Sequence, residues 1–236
     1  MSIGALIFDV DGTLAETEEA HRAAFNTTFA AWGLGWHWSR DDYRELLKTT
    51  GGKERIRAFQ AGLPADARRL SGAEIAACHA EKTDAYKAIL ARGDLELRPG
   101  VRALIAAAKP AGLRVAVATT TNLPNVEALA HCCWGCAAAE VFDVIAAGDE
   151  VSAKKPAPDV FELALARLGL APEQALAFED SRNGVLSAKA AGLRVVVTPS
   201  AYTCSDDFSE ADWVVPSLEP GHGPGALRMA LAGDGG

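Results

Sequence analysis

Two aspartates, Asp9 and Asp11, directly follow a short apolar run at residues 3–8. The run is typical of a buried strand, but a buried strand does not explain two carboxylates one residue apart at its end. Such charges repel each other, and a bound cation would relieve the repulsion. Gly12 comes next and lets the backbone turn sharply close to a ligand. The pair therefore predicts a cation-assisted site, although a carboxylate-rich turn would show the same residues.

Polar side chains also follow three later apolar runs. Because ligands bind beyond the carboxyl ends of the strands in open α/β sheets, we expect these groups to lie near the two aspartates. They offer the cationic and hydrogen-bonding partners that the negative charge of a transferred phosphoryl group needs. The groups are Thr119, Thr120, Thr121 and Asn122 after the second run, Lys154 and Lys155 in the loop after the third, and Glu179 and Asp180 after the fourth.

Each group can be given a role in phosphoryl transfer. Asp9 is placed to attack phosphorus and form an aspartyl-phosphate, and Asp11 to protonate the leaving oxygen and then to activate water. Thr119 and Thr120, with nearby backbone N–H groups, would donate to phosphate oxygens, and the Lys155 ammonium would add positive charge. The ligands expected for a hard cation such as Mg²⁺ are Asp9, Asp11 through its main-chain carbonyl, Glu179 and Asp180.

The hydrophobic pattern predicts an α/β protein whose core is a Rossmann-like parallel sheet. After Pro99, helices and short β-rich runs alternate, which is typical of parallel strands joined by right-handed crossovers. From residue 219 a loop with a last short helix is expected. Strands are expected at residues 3–8, 114–118, 142–146, 175–178, 194–197 and 213–215, and helices of the core at 100–109, from 124, at 158–168 and at 182–191.

Residues 16–92 show only helical patterns, which predicts an all-helical cap inserted after the first strand. Ser39 and Ser71 are expected to cap two of its helices. Its tryptophans, Trp32, Trp36 and Trp38, are expected to fill a core or an interface. The predicted domains are residues 1–15 with 93–236 for the core and 16–92 for the cap, with hinges near 14–16 and 93–99.

The four polar segments occur in the order of the four motifs of the haloacid dehalogenase superfamily, which this chain resembles over nearly its whole length. The run Asp-Val-Asp-Gly-Thr at 9–13 is similar to the nucleophile motif of the superfamily's phosphohydrolases. Lys155 is preferred to Lys154 because the lysine of the family directly precedes a proline. The resemblance implies Asp9 as nucleophile, Asp11 as acid and base, Thr119 and Lys155 as phosphate binders, and Asp180 and Glu179 as members of the metal shell.

The helical cap is similar to that of the subclass containing β-phosphoglucomutase and phosphoglycolate phosphatase. A closer resemblance is to the CbbY-type xylulose-1,5-bisphosphate phosphatases of the Calvin cycle. It rests on the runs "DVDGTLAETEEAHRAAFN", "YRELLKTTGGKERI", "VAVATTTNLPNVEAL" and "FDVIAAGDEVSAKKPAPD". This resemblance implies an enzyme that hydrolyses the C1 phosphate of xylulose-1,5-bisphosphate, an inhibitor of Rubisco.

Residues of the cap are expected to contact the rest of the substrate. His21 shares a helix face with Thr17; it could orient Asp11, meet sugar hydroxyls or be a partly buried helix histidine. Lys53 follows two glycines at a predicted helix start, a setting that suits an anion. It matches the arginine that binds the non-transferred phosphate in β-phosphoglucomutases, whereas a solvated helix face would explain Arg55 equally well. The expected substrate contacts are Glu16, His21, Lys53, Thr121 and Asn122.

The composition limits the classes of partner. The chain has 236 residues and a net charge of −8, without a basic run that would indicate nucleic acid. No apolar stretch reaches the roughly 18 residues of a membrane span, and no signal-like segment precedes the first strand. The five cysteines, with Cys133 and Cys136 in a lone C-x-x-C, are expected to be reduced structural or incidental thiols rather than a metal or redox site. We therefore expect a cytoplasmic enzyme, by default a monomer, that acts on a small phosphorylated sugar.

Several other functions share parts of this pattern. Haloacid dehalogenases lack the second aspartate, so Asp11 counts against them, while a phosphonatase would need a Schiff-base lysine, for which Lys53 is available. A sugar phosphomutase shares the motifs and the cap, and differs in whether water reaches the aspartyl-phosphate. Another small metabolite such as phosphoglycolate is an alternative substrate. A non-enzymatic module would be expected to lose an acid at position 9, 11 or 180, and all three are present.

Overall fold

Six parallel strands form one sheet in the order β3-β2-β1-β4-β5-β6. The computed structural model describes residues 3–223 together with residues 225 and 227. The predicted Rossmann-like α/β class is confirmed, whereas the helix expected near the end of the chain falls outside the described residues. The strands are β1 (Ala5–Phe8), β2 (Arg114–Ala118), β3 (Val144–Ala146), β4 (Ala175–Glu179), β5 (Arg194–Val197) and β6 (Trp213–Val214).

Five helices lie between β1 and β2 in the sequence, and the first four of them fall within residues 16–92, as predicted for the cap. Among the described helices, none combines the length and the apolar character that a membrane crossing requires. The helices are α1 (Glu18–Ala31), α2 (Arg40–Leu47), α3 (Gly52–Ala61), α4 (Gly72–Leu90), α5 (Val101–Ala108), α6 (Leu123–Trp134), α7 (Ala138–Val141), α8 (Asp159–Leu168) and α9 (Arg182–Ala190).

The central strand β1 is in register with both of its neighbours, β2 and β4. Ala5 is paired with Arg114 of β2 on one side and with Ala175 of β4 on the other. All four residues of β1 are buried, as expected for a parallel sheet that is covered on both faces. Because the three strands are in register, the residues that follow them meet at one edge of the sheet.

Side chains of β1 alternate between two apolar layers. Leu6 and Phe8 share a buried cluster with residues of α5 and α6 on one face. Ala5 and Ile7 share another with residues of α8 and α9 on the opposite face. This alternation follows from the period of two in a strand, and it covers both faces of the sheet with apolar side chains beneath the site.

The cap helices α1 to α4 have an apolar cluster of their own, built from aromatic side chains. Phe29 and Trp38 meet edge to face with their ring centroids 4.8 Å apart. Trp36 and Trp38 are buried and Trp32 is partly buried, so the tryptophans act as core filling, as predicted. The exact division of the chain into two domains at residues 15/16 and 92/93 stays a prediction.

Reciprocal hydrogen bonds begin two of the cap helices. The side chain of Ser39 accepts from the Asp42 N–H and the Asp42 carboxylate accepts from the Ser39 N–H. Ser71 and Glu74 make the same pair of bonds at the start of α4. Both predicted caps are confirmed, since each satisfies backbone N–H groups that a helix start leaves unpaired.

The two chain segments that join the cap to the sheet lie side by side. Ala15 and Leu97 form an antiparallel bridge, and the Arg98 N–H donates to the Leu14 carbonyl at 2.8 Å. The guanidinium of Arg98 fastens this pair to the turn after β1 and to the segment after β5. Its acceptors are the carbonyl oxygens of Gly12, Thr198 and Pro199.

Candidate active site

A cavity of about 800 Å³ lies between the carboxyl ends of the strands and the cap. Asp9 follows β1, Thr120 follows β2 and Asp180 follows β4, so the common register brings three of the predicted segments together. Helices α1 to α4 supply the opposite wall. The predicted site residues that line the cavity are Asp9, Asp11, His21, Lys53, Thr120, Thr121, Asn122, Lys155 and Asp180.

Three buried carboxylates meet on the sheet side of the cavity. Oxygen atoms of Asp9, Glu179 and Asp180 lie within 4.8 Å of one another. The ammonium of Lys155 donates to Asp9 Oδ1 at 2.6 Å, to Glu179 Oε1 at 2.5 Å and to the Ala118 carbonyl at 2.9 Å. Lys155 is only 4% exposed. It is therefore a fixed positive charge in direct contact with the expected nucleophile.

The pKa values of Asp9, Asp180 and Lys155 all differ from their usual values. Burial raises the pKa of Asp9 to about 8, against the opposing charge of Lys155 and with the help of neighbouring carboxylates. Burial, followed by the charges of Asp9 and Glu179, also raises the pKa of Asp180 well above its usual value. For Lys155, burial favours the neutral form, yet the two carboxylates in contact with it raise its pKa overall.

The charge balance of the cluster fits a divalent cation. The cluster contains three carboxylates and one ammonium, that of Lys155, which bonds to Asp9 and Glu179, so negative charge is in excess when all three acids are ionised. Carboxylate and carbonyl oxygens are the ligands that Mg²⁺ binds in proteins, and a bound cation would neutralise the excess. The residues that the sequence predicts as metal ligands therefore have suitable chemistry and placement.

Two glycines make room for the carboxylates. Gly12 has a φ of +81°, and a Cβ atom at this position would lie 2.1 Å from Asp180 Oδ2. A Cβ atom at Gly184, in the first turn of α9, would lie 2.0 Å from the carboxylate of Glu179. Both approaches require glycine, and the first also requires its tolerance of positive φ.

The carboxylate of Asp11 is bonded to the cap. Its Oδ1 accepts from Thr17 Oγ1 at 2.6 Å and lies 2.9 Å from His21 Nε2. Burial alone would raise its pKa, but the charge and hydrogen bond of His21, with the Thr17 bond, lower the pKa to about 2. Asp11 is therefore ionised here, which is the form that accepts a proton from water.

Both ring nitrogens of His21 have partners. Nδ1 lies 2.6 Å from the ammonium nitrogen of Lys82, on α4, and the ring stacks on Tyr86 at a centroid distance of 3.9 Å. Burial lowers the pKa of Lys82 to about 7. Of the interpretations open for His21, the geometry therefore favours the one in which it orients Asp11.

The loop after β2 supplies hydroxyl and amide groups to the cavity. Thr120 and Thr121 line it, while Thr119 is buried and its Oγ1 accepts the Thr121 N–H at 3.2 Å. Asn122 caps α6 by accepting the Asn125 N–H at 3.1 Å. Thr119 thus shapes the loop from beneath, and its role as a direct phosphate donor stays a prediction.

Lys154 and Lys155 differ sharply in their surroundings. Lys154 lines the cavity, and its ammonium donates to the Gly148 carbonyl at 3.0 Å. Lys155 instead contacts the carboxylate of Asp9. The preference for Lys155 over Lys154 as the cation beside the nucleophile is therefore supported by the geometry.

The cap contains a hydrogen-bonded chain of side chains that the sequence does not predict. Arg55 Nη1 donates to the Tyr43 hydroxyl at 2.9 Å, and this hydroxyl donates to Glu18 Oε2 at 3.0 Å. Glu18 and Arg55 line the cavity, so the chain presents both an acceptor and a cation to a bound molecule. Helical spacing gives no signal for it, because Glu18 and Glu19 are equally acidic and only the packing of the helices shows which one faces inwards.

Glu16 is a correction to the expected substrate contacts. Its side chain is 42% exposed and lies outside the cavity, with Oε1 3.3 Å from Arg98 Nε. Its Oε2 accepts the Ala201 N–H at 3.3 Å. These bonds hold Glu16 among the linker contacts, because α1 begins only at Glu18 and turns that later residue into the cavity.

The cysteines do not belong to the acid cluster, which consists of Asp9, Glu179 and Asp180. All five are free thiols, and Cys132 and Cys133 each have the Leu95 carbonyl as a partner. Among the described residues, the group with suitable spacing for a metal consists of the three carboxylates and includes no thiol.

The family that the order of the motifs suggests is also the family whose model matches this chain. The family model of the haloacid dehalogenase-like hydrolases matches residues 3–192. The chain belongs to this hydrolase family. The matched part contains the nucleophile turn, the cap and all the acid-cluster residues, so the predicted membership is confirmed.

Two relatives, one of them represented by two crystal structures, place this hydrolase more closely. The protein CbbY of Rhodobacter capsulatus is 59% identical over 218 residues, which are 92% of this chain and 95% of that protein. A crystal structure of CbbY from Rhodobacter sphaeroides in complex with phosphate is 54% identical, with a TM-score of 0.91 over 96% of this chain and all of that one. A mutant of the same protein in complex with xylulose-(1,5)bisphosphate is also 54% identical and has a TM-score of 0.90 over 95% of this chain and 99% of that one. The hydrolase is therefore an enzyme of the haloacid dehalogenase phosphatase type and a relative of the CbbY proteins, as predicted.

Proposed function

We propose that this hydrolase removes the C1 phosphate of xylulose-1,5-bisphosphate through an aspartyl-phosphate at Asp9, leaving xylulose 5-phosphate and so removing an inhibitor of Rubisco. The observation that carries the proposal is the contact of the buried Lys155 ammonium with Asp9 beside Glu179 and Asp180. The choice of sugar is supported by the bisphosphate complex of the 54% identical CbbY.

In the first step, a carboxylate oxygen of Asp9 attacks the phosphorus of the C1 phosphate. The bond between phosphorus and the C1 oxygen breaks, its electron pair stays on that oxygen, and Asp11 supplies the proton. The negative charge of a bound phosphate raises the pKa of Asp11 and so favours the protonated form that this step needs. Thr17 and His21 keep the carboxylate in place while its protonation changes.

In the second step, water attacks the phosphorus of the aspartyl-phosphate. Asp11 takes the proton of the water, the Asp9 carboxylate is released and inorganic phosphate leaves. Asp9, Glu179, Asp180 and the Asp11 main-chain carbonyl would hold Mg²⁺, which would stabilise the negative charge of the transferred group. Lys155 and the segment after β2 add fixed positive charge and hydrogen-bond donors to the same group.

The cap provides cations for the second phosphate, and Lys53 is the one that we expect to bind it. Lys53→Ala should raise KM for the bisphosphate about ten- to a hundredfold, because charge-assisted bonds to phosphate contribute roughly 1.5–3 kcal/mol. KM for β-glucose 1-phosphate, which has no second phosphate, should change little. Steady-state phosphate release from both substrates measures the difference.

Lys48→Ala is the matched control for this experiment. Lys48 is 72% exposed at the cavity edge and pairs with Glu45 at 2.5 Å, so its loss should leave both KM values nearly unchanged. Equal increases of KM for the two substrates in Lys53→Ala would show that this lysine does not bind the distal phosphate.

The sugar itself is tested by comparing pentulose bisphosphates. We expect kcat/KM for xylulose-1,5-bisphosphate to exceed that for ribulose-1,5-bisphosphate by about a hundredfold or more, because a misplaced hydroxyl leaves buried polar groups unpaired. Glu18 and Arg55, which line the cavity, are the acceptor and the donor that would detect the change in configuration. Phosphate release and sugar isomerisation are followed separately under identical conditions.

Comparable kcat/KM values for the two bisphosphates would overturn the assignment of the sugar. Isomerisation of β-glucose 1-phosphate without net phosphate release would identify a mutase instead.

A further inference from the structure

The segment after β5 holds one of the expected metal ligands. Thr203 Oγ1 lies 2.7 Å from the carbonyl oxygen and 3.2 Å from the carboxylate Oδ2 of Asp180. The same hydroxyl oxygen accepts the Ser200 N–H at 2.9 Å. Both residues are buried. Such partners behind a ligand normally fix its orientation, so Thr203, whose hydroxyl oxygen is itself held by Ser200, fixes the position of Asp180.

Tyr202, next to Thr203 in the chain, packs into the cap. Its ring meets the Tyr43 ring edge to face at a centroid distance of 5.8 Å, and the Arg44 guanidinium carbon lies 5.7 Å from the ring centroid. Its hydroxyl donates to the Glu19 carboxylate. Tyr202 is 7% exposed and belongs to the aromatic cluster of the cap, although it follows a strand of the sheet.

We propose that Tyr202 is a positioning residue that couples the seating of the cap on the sheet to the affinity for Mg²⁺. This inference rests on the proposed Mg²⁺ site. Because Tyr202 and Thr203 are neighbours, a movement of the ring out of the cap cluster is transmitted through one peptide unit to the hydroxyl that contacts Asp180. A seated cap keeps Asp180 in its ligating position, and a separated cap releases it.

The coupling works equally in the other direction. If seating the cap strengthens Mg²⁺ binding, Mg²⁺ binding must favour the seated cap by the same factor. The cap would therefore close more readily over a site that already holds its ion. No substrate group takes part in this link, so it can be measured with Mg²⁺ alone.

The first test is the dissociation constant of Mg²⁺, measured by titration calorimetry on the full chain without substrate. Tyr202→Ala should raise it about fivefold or more, the lower end of typical coupling between sites. Tyr202→Phe keeps the ring in the cluster and loses only the bond to Glu19, so its constant should stay within about twofold of wild type. A Tyr202→Ala constant within about twofold of wild type would overturn the coupling.

Asn183→Ala is the matched control, because Asn183 also joins the sheet side to the cap. Its Nδ2 donates to the Lys48 carbonyl and to Thr50 Oγ1, at 3.1 Å each, but it lies on α9 and not on the loop of Tyr202. We expect its Mg²⁺ constant to stay near that of wild type. An increase as large as in Tyr202→Ala would mean that any loosened cap contact weakens Mg²⁺ binding, and the route through Thr203 would be wrong.

Thr203→Val tests that route directly. It removes the hydroxyl at Asp180 and should raise the Mg²⁺ constant about tenfold, as the loss of a partner behind a metal ligand usually does. The double variant Tyr202→Ala with Thr203→Val should then bind Mg²⁺ about as weakly as Thr203→Val alone, because both changes act on one link. If the two increases multiply instead, the residues act independently and the proposal fails.

A hydrogen-exchange measurement covers the case in which Tyr202→Ala does not fold. Saturating Mg²⁺ should slow amide exchange in α2 of the wild type and should have no such effect in Thr203→Val. Equal slowing in both proteins would contradict the coupling. Absence of Mg²⁺ binding by the wild type would remove the proposed metal site and this inference with it, whereas normal wild-type binding with an unchanged Tyr202→Ala overturns the coupling only.

Discussion

Asp9→Asn should lower turnover of xylulose-1,5-bisphosphate by at least about 10⁴-fold, because an amide cannot form the acyl phosphate on which covalent catalysis depends. The fold should remain, since burial disfavours the charge of Asp9 and a neutral amide oxygen can still accept from Lys155. The measurements are phosphate release, mass spectrometry of the quenched protein for a phosphoryl adduct, and thermal unfolding of the metal-free protein.

Asp11→Asn distinguishes the role of the acid and base from the role of the nucleophile. It should also be nearly inactive on the sugar phosphate, but with p-nitrophenyl phosphate, whose leaving group needs no proton, the adduct at Asp9 should accumulate. Chelation of Mg²⁺ should abolish activity reversibly. Retention of more than about a tenth of the wild-type rate by Asp9→Asn would rule out the covalent mechanism.

Lys155→Met should damage both stability and catalysis. It leaves the buried carboxylates of Asp9 and Glu179 without the ammonium that now bonds to each, and breaking a buried ion pair on one side costs about 3–5 kcal/mol. We expect turnover to fall about a thousandfold, because roughly 4 kcal/mol of charge stabilisation is lost in the transition state. Urea unfolding without metal and phosphate release with Mg²⁺ measure the two effects.

Addition of Mg²⁺ should recover part of the stability of Lys155→Met, since a bound cation replaces some of the missing charge. Lys154→Met is the control: its ammonium bonds to main-chain carbonyls and not to the acids. We expect this control to lose less than about 1 kcal/mol. Equal damage in the two variants would contradict the distinction between the neighbouring lysines.

Local signals were enough to predict most of the fold. Strands β2 and β5 begin and end at the predicted residues because short apolar runs with clear polar limits define them. The serine caps are equally local, since each bond spans three residues. Helix α7 has only four residues and no such pattern, and its last bond, from the Phe142 N–H to the Ala138 carbonyl, makes β3 begin two residues later than expected.

The site residues likewise divide into those that local sequence signals predict and those that depend on how distant elements pack. Asp9, Lys155 and Asp180 were predicted because each stands at the end of a strand or in the loop after one, and strand ends in a parallel sheet share an edge. The cap contacts depend instead on how helices lie over that edge. Lys82 reaches His21 across 61 positions of the chain, and Tyr202, in the segment after β5, reaches Glu19 of the cap across 183 positions, so neither has a signal in its own neighbourhood.

The paired linkers restrict the motion of the cap to few degrees of freedom. Two independent tethers would let it translate and twist, but the Ala15–Leu97 bridge and Arg98 fasten both crossings to one another and to the turn beside Asp9. We expect the remaining motion to be chiefly a rotation about an axis close to the nucleophile turn. Points near that axis scarcely move, whereas displacement grows with distance from it, so we expect the reacting groups to stay nearly in place while the opposite rim opens to admit substrate and release products.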